Sequence, residues 1–589
     1  MKGNGAQILV RYLEQEGVRY VFGVPGGHLL AFYDALRGSS IQQVLTKHEG
    51  GAAYMAAGYA QVREALGVCC GTVGPGAANL VSGVAAAYMG SQPVLVITAQ
   101  VGTVSIGRGA LQEAAGEGRT FSQTRLFSAV TKYSTMVTRP DKLPEAVRRA
   151  LRIAHAGRPG PVHLDLPADV LRGEVEDEIV PVEHYRPRLA TLARPEDIDM
   201  AAEALTTAQR PAMLVGGGGR RGEAPRHILR LAEMLACPVA TTLPGKGTIP
   251  EDHALSLGCL GLYGTRAANK YIRSGLDVLL VVGSSLHEFT THVWDPALQP
   301  STALIQVDVD PLEIGKNYPV DLGILGDASI VMAQLAQRVE AMGIQPARSL
   351  DHLAQFKQAN EYFSEVEMRS DRVPTKPQRA VAELRAALPD DTIVFTDIGN
   401  SMTWIERNFI ARRPDTTVSF SGLAGMGSGV AAVIGGKLAA PARPVVVVCG
   451  DGDFQMHGLE VMTAVNHRIP AVWIILENGG LAMIRDVQTM SYQGRHIAAE
   501  FVNPDFVKLA EACGAAGYRA DRPDQIGPAV RMVLEQNRPA ILTIPVDPNE
   551  MPPAKPRMLA MERSLGLPPV RESIGVGGIK TLLRMLRER

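Results

Sequence analysis

The sequence predicts an α/β protein made of doubly wound parallel sheets. Short apolar runs recur along the chain, each ending on a glycine-containing turn and followed by a stretch of helical period. That strand–turn–helix rhythm fills an early block and returns in a late one, with a similar block between them. The residue types that carry chemistry cluster where these runs end. Open α/β sheets bind their ligands at those strand ends.

A chain of 589 residues implies several domains. Its net charge of −1 gives no electrostatic reason to expect nucleic acid or an acidic membrane as partner. The six cysteines are scattered and form no CxxC pair, so reduced thiols are expected rather than disulfides or zinc. No apolar run is long enough to span a bilayer. The opening MKGNGAQILV carries no secretory pattern, so a cytoplasmic location is expected.

In chain order, Gln7 to Gly17 reads as an amphipathic helix stopped by Gly17. Val18 to Val24 is a strand entering the turn Pro25-Gly26-Gly27. The strand around Val44 leads to Lys47-His48-Glu49, and a helix follows at once. Val68 to Val73 is a strand, turned into a helix by Gly74 to Asn79. Pro93 to Ala99 is another strand. Gly107 to Glu113 reads as a glycine-rich loop, and Gly157 to Pro167 surrounds a short strand. Glu174 to Arg194 reads as a linker.

The middle block has strands at Pro211–Val215, Val239–Thr242, Val278–Gly283 and Ala303–Val309, and reads as Rossmann-like. Its run Gly216 to Gly219 is not GxGxxG, so it is a weak nucleotide signal. In the late block, the strand Thr392–Thr396 ends on Asp397 to Ser401. Ser421 to Gly427 is a small-residue loop with one bulky apolar side chain, Met426. Val445–Val448 then runs into Gly450-Asp451-Gly452, read as a tight turn. Ala471–Leu476 ends on Glu477-Asn478-Gly479-Gly480, ahead of a helix at Leu481 to Gln488. The expected domains are 1–175, 190–345 and 370–550, with a basic tail at 551–589.

An Asp oxygen, an Asn oxygen and a free carbonyl at adjacent strand ends form a hard-oxygen site. Such a site suits Mg²⁺ with phosphate oxygens as further ligands. Alone, GDG would more often be a plain turn and Asn478 a helix cap. An isolated Glu49 would by default be a solvated cap. The spacing alters that balance: Asn478 follows Asp451 by 27 residues, with a strand before each.

This spacing, with KHEGGAAYMAAGYA and GTVGPGAANL upstream, resembles the thiamin-diphosphate-dependent enzymes. The resemblance covers nearly all of residues 1–550 and is strongest to the acetolactate synthase branch. It implies a pyrimidine-binding first domain, a Rossmann-like middle and a diphosphate-binding third domain. Glu49 matches the family's essential Glu, which drives the aminopyrimidine to its imino tautomer. Asp451, Asn478 and the Gly480 carbonyl match the Mg²⁺ ligands, although Glu477 stands where the family often has a first Asn. The other implied cofactor contacts are Pro25, Gly26, Gly74, Asn79, Gly399, Asn400, Ser401, Gly425, Gly450, Gly452, Asp453 and Leu481, with Met426 as the wedge between the cofactor rings. Gln112 matches a residue that reaches the reacting carbon, and Lys132 a downstream lysine; for both, plain surface polarity is the alternative.

The implied activity is decarboxylation of a pyruvate-like 2-oxoacid with carboligation. The implied assembly is a homodimer or homotetramer with sites shared between chains. Alternatives are a related lyase or transferase with an aldehyde or phosphate acceptor, or a non-catalytic cofactor-binding paralogue. Intact Glu49, Asp451 and Asn478 argue against the last. The branch also carries FAD in its central domain, and LGCLGLYGTRAANK and IQVDVDPLEIGKN resemble those segments. Its Arg-containing stretch is here Ser284 to Thr290, with Phe289 near the Arg position; Leu111 replaces an aromatic and Val487 a Trp. These departures weigh against flavin and against an acceptor carboxylate, unless Arg108 or Arg485 takes the clamp's place.

Overall fold

The computed structural model describes residues 2–187, 191–343, 350–360 and 366–552. All but the first two residues of the expected tail lie outside them. No helix among the described residues is long and apolar enough to cross a membrane.

Three six-stranded sheets organise these residues. The first has β1 (Tyr20–Gly23), β2 (Gln42–Leu45), β3 (Gly67–Gly71), β4 (Val94–Gln100), β5 (Tyr133–Met136) and β6 (Val162–Pro167). The second has β7 (Pro211–Val215), β8 (Val239–Thr241), β9 (Ser256–Cys259), β10 (Val278–Val282), β11 (Ala303–Asp308) and β12 (Leu322–Leu325). The third has β13 (Ile393–Thr396), β14 (Thr417–Val418), β15 (Val445–Gly450), β16 (Val472–Glu477), β17 (Ala516–Arg519) and β18 (Ala540–Pro545). Every pairing within the three sheets is parallel. The predicted fold class holds.

The first sheet runs β2-β1-β3-β4-β6-β5 and the third β14-β13-β15-β16-β18-β17. Counted from its own first strand, each has the same order, so the outer domains share one topology. The middle sheet runs β9-β8-β7-β10-β11-β12. That is the 3-2-1-4-5-6 order of dinucleotide-binding folds.

Strand alternation divides the core. Val94 and Val96 face one apolar cluster and Leu95 and Ile97 another. On β15, Val445 and Val447 join the same cluster as Val94, while Val446 and Val448 face the opposite side. The outer domains therefore share a core. It is closed by α1 (Glu49–Arg63) packed on α4 (Ser428–Ala439). A Cβ at Gly58 would stand 2.4 Å from the Ala432 carbonyl, and one at Gly435 1.9 Å from the Met55 carbonyl. Only glycine permits that approach.

One local feature differs from expectation. Gly450-Asp451-Gly452 is not a turn followed by a helix; α5 (Asp451–His457) begins on Asp451 itself. Gly450 is extended, and the Asp453 carboxylate accepts its N–H at 2.9 Å, which caps the helix from inside its first turn.

Candidate active site

Two half-sites emerge at the carboxyl ends of the outer sheets. In the third domain, β15 and β16 lie side by side, with Gly450 opposite Leu476. This register brings the two following loops together. Asp451 is fully buried. Its Oδ2 accepts from the backbone N–H of Asn478 at 2.9 Å, that of Gly479 at 2.7 Å, and the side-chain amide of Asn503 at 2.8 Å. Asn478 Oδ1 is buried with no hydrogen-bond partner. The Gly480 carbonyl accepts from Ala482 N at 3.0 Å and keeps a second lone pair.

Asp451, Asn478 and Gly480 line one cavity of about 250 Å³, with Gly399, Asn400, Ser401, Met426, Gly450, Gly452, Asp453 and Leu481. A buried acceptor without a donor is costly, and a hard cation would satisfy it. The donor set fits such an ion. A Cβ at Gly452 would stand 2.7 Å from Leu481 Cδ2 and 3.4 Å from Met426 Cε, so these apolar chains close over it.

Asp397 pins the loop that carries Gly425 and Met426. Its Oδ1 accepts from Gly427 N at 2.8 Å and its Oδ2 from Val430 N at 3.0 Å. Burial raises the Asp397 carboxyl above the ordinary range despite these donors. Burial raises Asp453 strongly as well, and the nearby Asp397 and Asp451 charges add to it. Asn400 donates to Asp486 at 2.8 Å, and Ser401 Oγ donates to Asp453 at 3.4 Å.

In the first domain, α1 begins on Glu49. Asn79, on α2 (Pro75–Met89), donates to Glu49 Oε2 at 2.9 Å. A Cβ at Gly76 would meet Glu49 Oε1 at 3.2 Å, and one at Gly26 would stand 2.3 Å from Thr72 Oγ1. Gly74 has φ of +74°, and a Cβ there would stand 2.9 Å from the Gln112 carbonyl. The loops after β1 and β3, the Gln112 loop and Glu49 thus belong to one constellation. Pro25 precedes Gly26 in the first of these loops. Gln112 is exposed, and Glu113 organises its loop by accepting from Gly107 N at 2.6 Å, Gly109 N at 3.0 Å and Ala110 N at 3.1 Å. These donors hold the Glu113 carboxyl below its usual range, Gly107 most of all.

The described lining of the Asp451 cavity contains no residue of the first domain. One chain therefore carries both half-sites but does not bring Glu49, Gly74 or Gln112 to that cavity.

Lys132 joins neither. Its ammonium donates to the carbonyls of Ile153 at 2.7 Å, Ala156 at 2.5 Å and Arg158 at 2.8 Å. It caps the carboxyl end of α3 (Leu143–His155), with all three donors engaged. Arg485 donates to the Pro548 carbonyl at 2.5 Å, and Arg108 is exposed on the Gln112 loop. In the middle domain, Phe289 stacks on Tyr263 at 6.2 Å. Leu262, Tyr263 and Val293 pack with Met483, itself part of the cavity lining. Val487 is half-buried and outside that lining.

Two contributors were not singled out from sequence. Asn503 holds Asp451 from a segment of no regular structure. Glu460, in the third domain, accepts from Lys47 N and His48 N of the first, at 3.1 and 3.0 Å, next to Glu49. Its neighbours Leu459 and Val461 make it look like one polar position on an apolar helix.

Comparison with known proteins matches three segments of the chain. Residues 3–118 match the thiamine pyrophosphate enzyme N-terminal TPP binding domain, 198–335 the central domain, and 397–544 the C-terminal TPP binding domain. The chain is 39% identical over 568 residues to a probable acetolactate synthase large subunit of Methanocaldococcus jannaschii, covering 94% of this chain and 93% of that protein. It is 35% identical over 548 residues to the acetolactate synthase large subunit of Corynebacterium glutamicum, covering 91% and 86%. It is 34% identical over 563 residues to the acetolactate synthase isozyme 3 large subunit of Escherichia coli K12, covering 93% and 95%. With three domain models matched in order and full-length similarity to these subunits, the chain belongs to the thiamine pyrophosphate enzymes, as an acetolactate synthase-like member.

Proposed function

We propose that this protein decarboxylates a pyruvate-like 2-oxoacid and joins the retained fragment to an acceptor carbonyl. The observation that carries this reading is the unpartnered Asn478 Oδ1 beside the fully buried Asp451, in a chain whose relatives are acetolactate synthase subunits. Asp451, Asn478 and the Gly480 carbonyl would hold Mg²⁺ against the diphosphate of thiamin diphosphate. Bound thiamin diphosphate supplies a nucleophilic carbon and an electron sink. Glu49 holds a proton at the cofactor's pyrimidine ring, and Asn79 orients its carboxylate. Met426 and Leu481 exclude water from the reacting side, and Gln112 positions substrate. Pro25, Gly26 and Gly74 shape the first-domain wall. Gly399, Asn400, Ser401, Gly425, Gly450, Gly452 and Asp453 shape the other. Lys132 has no part in this reading, since three carbonyls occupy its ammonium.

Separate half-sites support a homodimer or a homotetramer, with the first domain of one chain facing the third domain of another. Leu111 is exposed next to Gln112, and Ile484 is exposed on the cavity lining, as such an interface needs. The domains are taken as 1–175, 190–345 and 370–550, in a cytoplasmic enzyme.

Flavin is left out of the reading. The run Gly216 to Gly219 packs on protein: a Cβ at Gly216 would stand 2.3 Å from the Gly283 carbonyl, and one at Gly218 2.9 Å from Gly283 Cα. The adjoining cations are engaged by protein: Arg220 donates to the Thr417 carbonyl and Arg221 to the Ser91 carbonyl at 2.8 Å.

The test is incubation of purified protein with thiamin diphosphate, Mg²⁺ and labelled pyruvate, with and without acceptors, followed by mass spectrometry. Labelled carbon dioxide and a labelled carboligation product are expected, from protein without flavin absorbance. Absence of carbon dioxide release overturns the reading.

A further inference from the structure

A buried polar network lies behind the Gln112 loop, and none of the roles above uses it. Its hub is Asp165 on β6, which is fully buried. Gln123 donates its amide to Asp165 Oδ1 at 2.5 Å, and Gln100 donates to Oδ2 at 3.2 Å. The hydroxyls of Thr98 and Thr124 donate to the same carboxylate at 3.3 and 3.4 Å. His163 bridges Thr98 at 2.7 Å and Ser134 at 2.8 Å, and burial pushes it down to about 3, so it stays neutral. Burial pushes the Asp165 carboxyl up to about 7, with both glutamines and both threonines pulling against the shift.

The two glutamines look outward at the catalytic loops. Gln123 Oε1 accepts from Gly74 N at 3.3 Å. Gln100 Oε1 accepts from Ala114 N at 3.3 Å and Val101 N at 3.0 Å. The backbone N–H of Gln123 also donates to the Ala114 carbonyl at 3.0 Å. Gly74 and Ala114 bracket Gln112, whose own carbonyl abuts Gly74.

An amide has one accepting end and one donating end. Only donors reach the two Asp165 oxygens, so the carboxyl draws the donating ends of both glutamines inward. Their oxygens then face the two backbone N–H groups. We propose that Asp165 is a positioning residue: by fixing the amide orientation of Gln100 and Gln123, it sets the Gly74 and Ala114 backbone and so the placement of Gln112. This rests on the reading that Gln112 acts in the reaction.

The test is a polarity swap. Asp165→Asn keeps the volume but presents an NH₂ to one glutamine. Gln123 is also anchored by the Ala99 carbonyl at 2.7 Å, so Gln100 is the one that turns its NH₂ toward backbone N–H groups, a donor against a donor. The double variant D165N/Q100E restores the pairing between positions 165 and 100, with the charge moved to position 100. The amide introduced at position 165 donates to the carboxylate introduced at position 100, and that carboxylate accepts from Ala114 and Val101. D165N is expected to lower kcat by about ten- to a hundredfold, the scale of a misplaced catalytic group. Thiamin diphosphate affinity should fall less than kcat does, because Gly74 is one of many cofactor contacts whereas Gln112 acts in the reaction. D165N/Q100E should recover most of the lost kcat. Wild-type kcat in D165N, or no recovery in a folded double variant, overturns the proposal.

If D165N does not fold, Gln100→Leu carries the test, since it removes the acceptor of Ala114 N and Val101 N while leaving Asp165 and Gln123 in place. Its kcat should fall at least about tenfold, and an unchanged kcat overturns the proposal. If the parent protein shows no turnover, the proposed function has failed, and hydrogen exchange of residues 107–114 then decides this inference separately. Exchange should rise in D165N and return in the swap; unchanged exchange overturns the inference.

Discussion

Asn79 donates its side-chain amide to Glu49 Oε2 at 2.9 Å, across the gap between two helix starts. One carboxylate oxygen is thereby fixed and the other left beside Gly76, where a side chain would press on it. This arrangement presents a carboxyl oxygen to the half-site rather than capping a helix with it. The His48 imidazole already fills the capping role, accepting from Gly50 N at 3.0 Å. Glu49→Gln is therefore expected to keep the fold and bind cofactor while losing turnover by ~10² to 10⁴-fold, the usual scale of general acid–base catalysis. Steady-state kinetics beside calorimetric cofactor titration measures both. Activity within a few-fold of the parent would remove Glu49 from its role.

Asp451 and Asn478 lead to a second prediction. Asp451 has two jobs: it faces the cavity and it ties down the N–H groups of Asn478 and Gly479. Asn478 offers the cavity an acceptor that nothing in the protein satisfies. Asp451→Ala should therefore weaken thiamin diphosphate binding more than Asn478→Ala, because it frees the loop as well as removing an oxygen. Raised Mg²⁺ should partly restore the Asn478 variant and do less for the Asp451 variant. Equal, unperturbed affinities in both would show that the metal lies elsewhere.

The strand ends that carry these groups were legible from sequence because central strands of a parallel sheet are continuous apolar runs. Val445–Val448 and Ala471–Leu476 are of that kind. The edges were not. Thr417–Val418 is a two-residue strand, and Tyr133-Ser134-Thr135-Met136 is half-buried with no clear alternation. For Lys132 the sequence offers only the family resemblance, with surface polarity as the alternative. The end of a neighbouring helix claims its ammonium, and no local pattern announces such a tertiary contact. Glu460 and Asn503 were illegible for the same reason, since each acts on a backbone far away in sequence.

Separate half-sites in one chain make the assembly testable without a structure of it. A Glu49→Gln chain retains a sound third domain, and an Asp451→Ala chain retains a sound first domain. Each homo-oligomer should be inactive. Subunits mixed, dissociated and reassembled should regain activity, because a mixed dimer holds one site with both defects and one with neither. Random pairing in a symmetric dimer gives about a quarter of parental activity. No recovery after verified subunit exchange would mean that each chain builds its site alone.

The acceptor side yields the last prediction. A 2-oxoacid acceptor brings a carboxylate, and a buried carboxylate needs a charged or strongly hydrogen-bonding partner. Among the described residues, the cavity lining holds no arginine or lysine. Arg485, on the helix that contributes Met483 and Ile484 to that lining, is turned to the Pro548 carbonyl. The wall toward the middle domain is apolar, with Met483 packed on Leu262, Tyr263 and Val293. Loss of one charge-assisted hydrogen bond costs ~1.5 to 3 kcal/mol, or roughly ten- to a hundredfold in relative specificity. A neutral aldehyde is therefore expected to outcompete pyruvate as acceptor for the same labelled donor, with pyruvate saturating poorly. Arg108 is the remaining candidate for a clamp, being exposed on the loop that carries Gln112. Arg108→Ala should accordingly leave the preference for aldehyde unchanged. A strong preference for pyruvate at low concentration, lost in Arg108→Ala, would overturn the prediction and assign the acceptor carboxylate to that arginine.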